Sequence, residues 1–505
     1  MTAVSAESRP QALASIQKLL SSGVVPQSSV PAIVQAVDAR DNGATSEESV
    51  QLKRLQTLLT LLQSSVFPDS DEDLRLVLGL CFRMVESRRE TESVHCTAFA
   101  TVRQAVAVVF EHTSLSNLLG TAAAPAPQHQ HSGTGPLPAG APRAAYMLLQ
   151  DLIMLSCDKP AEWMKLQRLP TVLVYELLEF ILSRQEPGDR LDSCPRGPSP
   201  APATPCRYPG YFLQVDMFRR ALTEEVCGML QQRLREPLGE EPSDVELAQR
   251  RLVLRMSATI SRSMWPVSEV PTRAFVAAIT RACMPDSPGW YQVQALQALR
   301  HVLGDPQAAY ALYAGVGGSA KETPLLLQIL AGLGEVFDTV VKLVAEPPAD
   351  HLDPLTAISR TFSFHMRGRG KAEDTRAALL EPWAPTMLAR PAAGLDLETE
   401  TEPEIRMMVH GAVGTIECFL DLVGSLDRMA AHVLDPTAAT AAAAARGDHA
   451  TPPQPLDRAR VEALLLSVWE RVLSVLSYLM GHAIGEDLVV ATLQAYQKLL
   501  EASPL

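Results

Sequence analysis

The stretch DSDEDLRLVLGLCFRMV, residues 69–85, decides the fold class. It opens on a capping residue, Asp69 or Ser70, followed at once by Asp71, Glu72 and Asp73. Carboxylates in a first helical turn meet unpaired N–H groups and the positive end of the peptide dipole. Leu74, Val77, Leu78, Cys81 and Val85 then recur at steps of three and four, which puts them on one helical face.

The same period extends in both directions. Upstream, Leu13, Ile16 and Leu20 share a face. Val30, Ile33, Val34 and Val37 form a second stripe after Pro26, and Leu52, Leu55, Leu58, Leu59 and Leu62 a third. Downstream, Ala98, Val102, Ala105, Val109 and Phe110 form a fifth. Short Pro, Gly and Ser punctuation between helices favours antiparallel neighbours. Helix pairs recur at about 40 residues, as in helical-repeat arrays. The expected fold is therefore all-α: an armadillo- or HEAT-like α-solenoid of stacked antiparallel helices with Pro- and Ala-rich linkers.

Further helices are expected at 143–183, 208–262, 270–315, 322–346, 403–433 and 458–500. Residues 121–142 and 185–207 read as flexible linkers, poor in large apolar side chains. The Ala run with its prolines makes 434–456 a third, and 347–402 is expected to be poorly ordered.

Composition bounds the function. A chain of 505 residues exceeds what one core organises, so several packed units are expected. Leu, Ala and Val carry the apolar load and aromatics are only 5%, which suits helix–helix packing. A net charge of -13 argues against sequence-independent nucleic-acid binding, which needs a basic footprint. The eight cysteines (Cys81, Cys96, Cys157, Cys194, Cys206, Cys227, Cys283 and Cys418) include no C-x-x-C pair. Neither a zinc site nor a disulfide framework fits that scatter, and buried thiols in a reducing compartment are expected. No stretch approaches about 20 uninterrupted apolar residues, so no transmembrane span is expected, and Glu7, Arg9 and Lys18 interrupt any signal-like opening.

Catalytic and cofactor motifs are not expected either. His129 and His131 lie in the first linker without accompanying Cys or carboxylates. Arg446, Gly447 and Asp448 read as a chance tripeptide. Gly315, Gly317 and Gly318 follow a helix and lack the Gly-Lys-Ser/Thr of a phosphate cradle. Residues Leu234 to Glu240, Leu-Arg-Glu-Pro-Leu-Gly-Glu, are superficially similar to the glutamate-finger loop of Arf exchange domains, but the order is wrong, and a helix end with a polar loop is expected.

Three stretches carry a family resemblance. Residues 98–111, AFATVRQAVAVVFE, place Thr101, Arg103, Gln104 and Phe110 on one helix. This stretch closely resembles the dimerisation and cyclophilin-binding (DCB) helix of Mon-two and BIG-type proteins. Residues 145–152, AYMLLQDL, running on to Trp163, include Tyr146, Gln150 and Asp151. They look like the opening of the region homologous upstream of Sec-seven (HUS). The third runs from Leu252 to Tyr313 and includes Trp290. Where the large Arf exchange factors close that region with an acidic box, this chain reads Leu312-Tyr313-Ala314-Gly315, a departure that favours the Mon-two branch.

The resemblance implies a DCB-like region over 1–120, HUS-like helices over 143–184 and 208–346, and further helical repeats over 403–505. It implies a non-catalytic scaffold in Golgi–endosome vesicle trafficking, cytoplasmic and peripheral on membranes, without cofactor or metal. Arf-like small GTPases, Dopey-type proteins and a second copy docked through the DCB-like region are the implied partners. The alternatives are the regulatory N-terminal region of an Arf exchange factor and a generic α-solenoid transport adaptor. Arg is suited to bidentate pairing with a carboxylate, so Arg103 is expected to pair with an acid on a neighbouring helix, with Asp151 the candidate. Asp151 sits among Leu149, Leu152, Ile153 and Leu155; it is either buried and bonded or turned to solvent.

Overall fold

The structure, a computed structural model, describes residues 8–38, 48–64, 66–68, 70–86, 91–113, 139–183, 215–238, 242–263, 269–314, 323–345, 353–374, 403–434, 456–482 and 485–502. All regular elements among them are helices; the one β-bridge joins Ala161 to Leu166 within a loop. Two compact units are present. The first comprises 1–185 and 208–229, the second 186–207 and 230–505.

The first unit begins with α1 (Ser8–Ser21), α2 (Val30–Asp38), α3 (Glu48–Gln63), α4 (Asp71–Glu86) and α5 (Glu92–His112). After these come α6 (Ala141–Ser156) and α7 (Thr171–Ser183). Helix α1 packs on α3 and α3 on α5, while α2 packs on α4 and α4 on α6. Those two rows, stitched by α3–α4, α4–α5 and α5–α6 contacts, are how helical repeats bury one another's faces. Leu74, Val77, Leu78, Cys81 and Val85 are all buried in the seam. Ser70 is the cap: its Oγ accepts from the Asp73 N–H at 3.1 Å.

Helix α6 starts at Ala141 with Gly140 as its N-cap at φ 87°, a left-handed conformation that glycine adopts without strain. The linker expected over 121–142 therefore gives way to ordered backbone by Gly140, whose N–H bonds to Asp71 of α4. The expected DCB-like region and the first HUS-like stretch, 143–184, share one unit, because α6 and α7 both pack on α5, whereas residues 230–346 of the second HUS-like stretch belong to the other.

Helix α8 (Asp216–Arg220) runs through a π-helical turn, Ala221–Val226, into α9 (Cys227–Arg235), within which the units divide. The second unit continues with α10 (Asp244–Ser263), α11 (Glu269–Ala282), α12 (Gly289–Leu303), α13 (Pro306–Ala314) and α14 (Leu325–Ala345). It ends with α15 (Pro354–Asp374), α16 (Pro403–Leu434), α17 (Arg458–His482) and α18 (Glu486–Ala502). Helix α16, 32 residues long, is its axis: α12, α13, α14, α15, α17 and α18 all pack on it. Arg300 of α12 binds both Glu417 and Asp421 of α16, the latter at 2.9 Å.

Over 354–374, helix α15 departs from the expectation of poor order placed on 347–402. Asp353 caps it, accepting from the Thr356 N–H at 3.1 Å, and Ala357, Ile358, Thr361 and Phe362 are buried. Residues 375–402 lie outside the described residues, as do 121–138, 185–207, 435–455 and the Gly315–Gly318 cluster.

Helices α5, α16 and α17 are long and apolar enough to cross a membrane, counting length and composition alone. The most apolar stretch of α16 is 72% buried and that of α5 56%, so neighbouring helices already take much of these faces.

Candidate interaction site

The residues singled out in α5, α6 and the loop after it come together in the first unit. On α5, Thr101 is buried and its hydroxyl donates to the Thr97 carbonyl at 2.8 Å. Phe110 is buried core, whereas Gln104 is exposed. Arg103 lies between, half-buried, and its guanidinium pairs with Glu176 of α7. That contact overturns the pairing expected with Asp151. The requirement was read correctly, an acid on a neighbouring helix, but α5 meets α7 as well as α6, and Asp151 is committed elsewhere.

Asp151 is buried, 3% exposed, and accepts three backbone hydrogen bonds. Glu162 and Trp163 donate to Oδ1 at 2.9 and 3.1 Å, and Met164 donates to Oδ2 at 2.6 Å. Burial pushes its carboxyl above the usual carboxylate range, with the three N–H donors pulling the other way. Its role is to fold the loop between α6 and α7. The loop closes on itself through Ala161 N–H to Leu166 carbonyl at 2.9 Å. Glu86 of α4 holds the far side, accepting from the Gln167 and Arg168 N–H groups at 3.3 Å each. Asp158 and Lys165 sit at φ 58° and 55°, left-handed positions that are costly for side-chain-bearing residues. Five captured N–H groups hold the loop in this form, with Met164 and Leu166 buried and Trp163 half-exposed.

Tyr146 stacks edge-on against Phe218, ring centroids 5.5 Å apart at 85°. Gln150 donates to the Tyr146 hydroxyl at 3.3 Å and to Glu225 at 3.0 Å. Burial and the nearby Glu225 carboxylate raise the Tyr146 phenol above its ordinary value. Glu225 belongs to the π turn, an insertion that frequently marks functional positions. Trp290 falls apart from this group, at the start of α12 in the second unit. It rests against Tyr291, with centroids 5.3 Å apart, and its indole N–H has no hydrogen-bond partner among the described residues.

Sequence alone does not single out Glu176 or Glu86; Glu225, expected with Glu224 on a solvated helix face, is exposed there and accepts from Gln150. A signal for the first was present: Glu176 and Glu179 are the only charged residues of α7, and a carboxylate in so apolar a helix calls for a cation. The π turn left none.

Among the described residues no group of His, Cys, Asp and Glu could hold a metal ion. In the stretch that superficially resembles a glutamate finger, Arg235 ends α9 and Glu236 is bound to Arg233 at 2.9 Å and Arg250 at 3.7 Å; Gly239 and Glu240 lie outside the described residues. The arrangement is one of fixed helix junctions that present polar side chains, chemistry suited to recognition.

No curated protein matches this chain. An engineered protein of solved structure aligns over 99% of this chain and 97% of its own at 11% identity, with a TM-score of 0.26, too low to bear on the fold. Residues 10–117, which hold the Arg103 helix, match the family described as the Mon2/Sec7/BIG1-like dimerisation and cyclophilin-binding domain, DCB.

Proposed function

We propose that this chain is a non-catalytic helical scaffold of Golgi–endosome vesicle trafficking, peripheral on those membranes, that binds Arf-like small GTPases and Dopey-type proteins. The observation that carries this reading is the DCB match over residues 10–117. The direct packing of α6 and α7 on the α5 of that domain supports treating the region after it as HUS-like, a continuation of the same platform. Packed helices with polar junctions offer extended surfaces for protein partners.

The test uses the purified full chain with a panel of Arf-like GTPases in GDP-bound and GTP-analogue-bound form. The expected result is saturable binding to at least one, with nucleotide release no faster than background. Absence of binding across the panel sinks the reading.

A second reading, the regulatory region of an Arf exchange factor, is favoured by the same match, since the matched family is described as Sec7- and BIG1-like as well. Exchange requires a group placed at the nucleotide. Nucleotide release accelerated well above background by the full chain would favour this second reading.

A further inference from the structure

The second unit contains a cleft of about 550 Å³ between the end of α9 and the exposed face of α11. Its floor is Ala274, Ala277, Ala278 and Ala282, which fall on one side of α11 at steps of three, one and four. Methyl side chains leave the depth that larger residues would fill. Leu234 and Tyr291 extend the apolar wall.

Two guanidiniums flank this floor. Arg235 and Arg281 are exposed and form no salt bridge among the described residues. The cleft's own carboxylate, Glu236, is already engaged by Arg233 and Arg250. The cleft therefore asks for carboxylates carried beside apolar side chains.

The chain has such a segment. Residues 395–402 read Leu-Asp-Leu-Glu-Thr-Glu-Thr-Glu, with acids at 396, 398, 400 and 402. In an extended chain, that alternation puts the acids on one side and Leu395 and Leu397 on the other. The segment also leads into α16 close to the cleft. Gly289, two residues before the cleft residue Tyr291, lies against Met407 of α16; a Cβ at Gly289 would come within 2.9 Å of the Met407 Cβ. Five residues of helix are about 8 Å, and eight extended residues span up to about 28 Å, so 395–402 can reach the cleft without displacing α16.

We propose that this cleft is a docking site for an acidic, leucine-bearing peptide and that its occupant is the chain's own segment 395–402. A tethered occupant competes at an effective concentration in the millimolar range. An outside peptide of the same chemistry is thereby held off until the segment leaves.

The experiment has two arms on the full chain. In the first, an Arg281→Lys variant is treated with a carbodiimide, which joins lysine to a touching carboxylate, and the products are mapped by mass spectrometry. The expected product links position 281 to Asp396, Glu398 or Glu400 in the monomeric fraction. Arg458→Lys is the positive control, since Arg458 lies 2.9 Å from Glu462. A positive control with no link at 281 overturns the proposal. A link found only in covalent dimers also overturns it, making the occupant a second copy.

In the second arm, a fluorescein-labelled peptide of residues 391–402 is titrated in trans. It is expected to bind the Asp396→Asn/Glu398→Gln/Glu400→Gln variant at least about tenfold more tightly than the unaltered chain. Adding Arg235→Glu and Arg281→Glu to that variant should abolish binding with unchanged helical circular dichroism. Equal affinity for the unaltered chain and the neutralised variant, or binding to neither, overturns the proposal.

Discussion

Asp151 and Arg103 show how far single residues can be read from sequence. That a carboxylate among Leu149, Leu152 and Ile153 must be bonded if buried follows from desolvation; that its partners are the N–H groups of Glu162, Trp163 and Met164 depends on a loop whose path no periodicity encodes. Removing Asp151 leaves three donors without their acceptor. Asp151→Ala should therefore cost about 3 kcal/mol or more on urea denaturation and open residues 158–168 to protease. Asp151→Asn should recover only part, because its amide nitrogen would oppose the Met164 N–H. For Arg103 the test is a double-mutant cycle with Glu176. Both side chains are partly exposed, so a coupling of about 1–2 kcal/mol is expected, between surface and buried pairs. The cycle with Asp151 should be additive; coupling there, and none with Glu176, would refute the observed pairing. Of the described cysteines, Cys81, Cys227, Cys283 and Cys418 are buried, Cys157 is half-buried and Cys96 is exposed. Burial pushes Cys81 and Cys227 up to about 12 from 9.0, so their stabilising contribution is intact below pH 9 and is lost as pH rises through about 12. Iodoacetamide at pH 8 should modify exposed Cys96 and leave Cys81 and Cys227 until the chain unfolds. Prompt loss of the Cys81 thiol in the folded protein would contradict this.

At the scale of elements, the strongest stripe was the most legible. Every residue read into the core face of α4 is buried, because a wide apolar face between two rows of helices imposes the helical period over several turns. Ser70→Ala should cost about 1 kcal/mol by removing the acceptor of the Asp73 N–H. Helix α15 was missed for the converse reason. It buries a narrow stripe, Ala357, Ile358, Thr361 and Phe362, and carries Arg360, Arg367, Arg369, Gly368 and Gly370, which dilute the pattern. Its start signal was nevertheless present: Asp353 as cap and Pro354 at the first helical position. Phe362 is fully buried, so Phe362→Ala should destabilise the second unit by about 3–5 kcal/mol and accelerate amide exchange across residues 355–366. An unchanged exchange pattern would return this segment to the disordered class.

Over the whole molecule, the family signal was legible and the division into units was not. Residues 98–111 carried the resemblance because they are a core helix of the matched domain, with Val102, Ala105, Val109 and Phe110 buried. The division at Met229 falls within α9, where no change of composition marks it. The matched family's description as a dimerisation domain leads to a prediction about assembly. Among the described residues of 10–117, the large apolar side chains left exposed are Leu19 at 51%, in the last turn of α1, and Val24 at 67%, in the segment that follows it. These two apolar side chains are the expected centre of a self-complementary interface, since the fully buried middle of such patches is apolar. The full chain should sediment with about twice its 54.7 kDa at micromolar concentration. Leu19→Glu with Val24→Glu should return it to one copy, because a buried unpaired carboxylate on each subunit opposes association. Leu466→Glu with Leu500→Glu, exposed apolar positions on α17 and α18 of the second unit, should leave the dimer intact. A chain that sediments as one copy at tens of micromolar, or a dimer that survives the first pair and is lost with the second, would rule out assembly through this surface of the matched region.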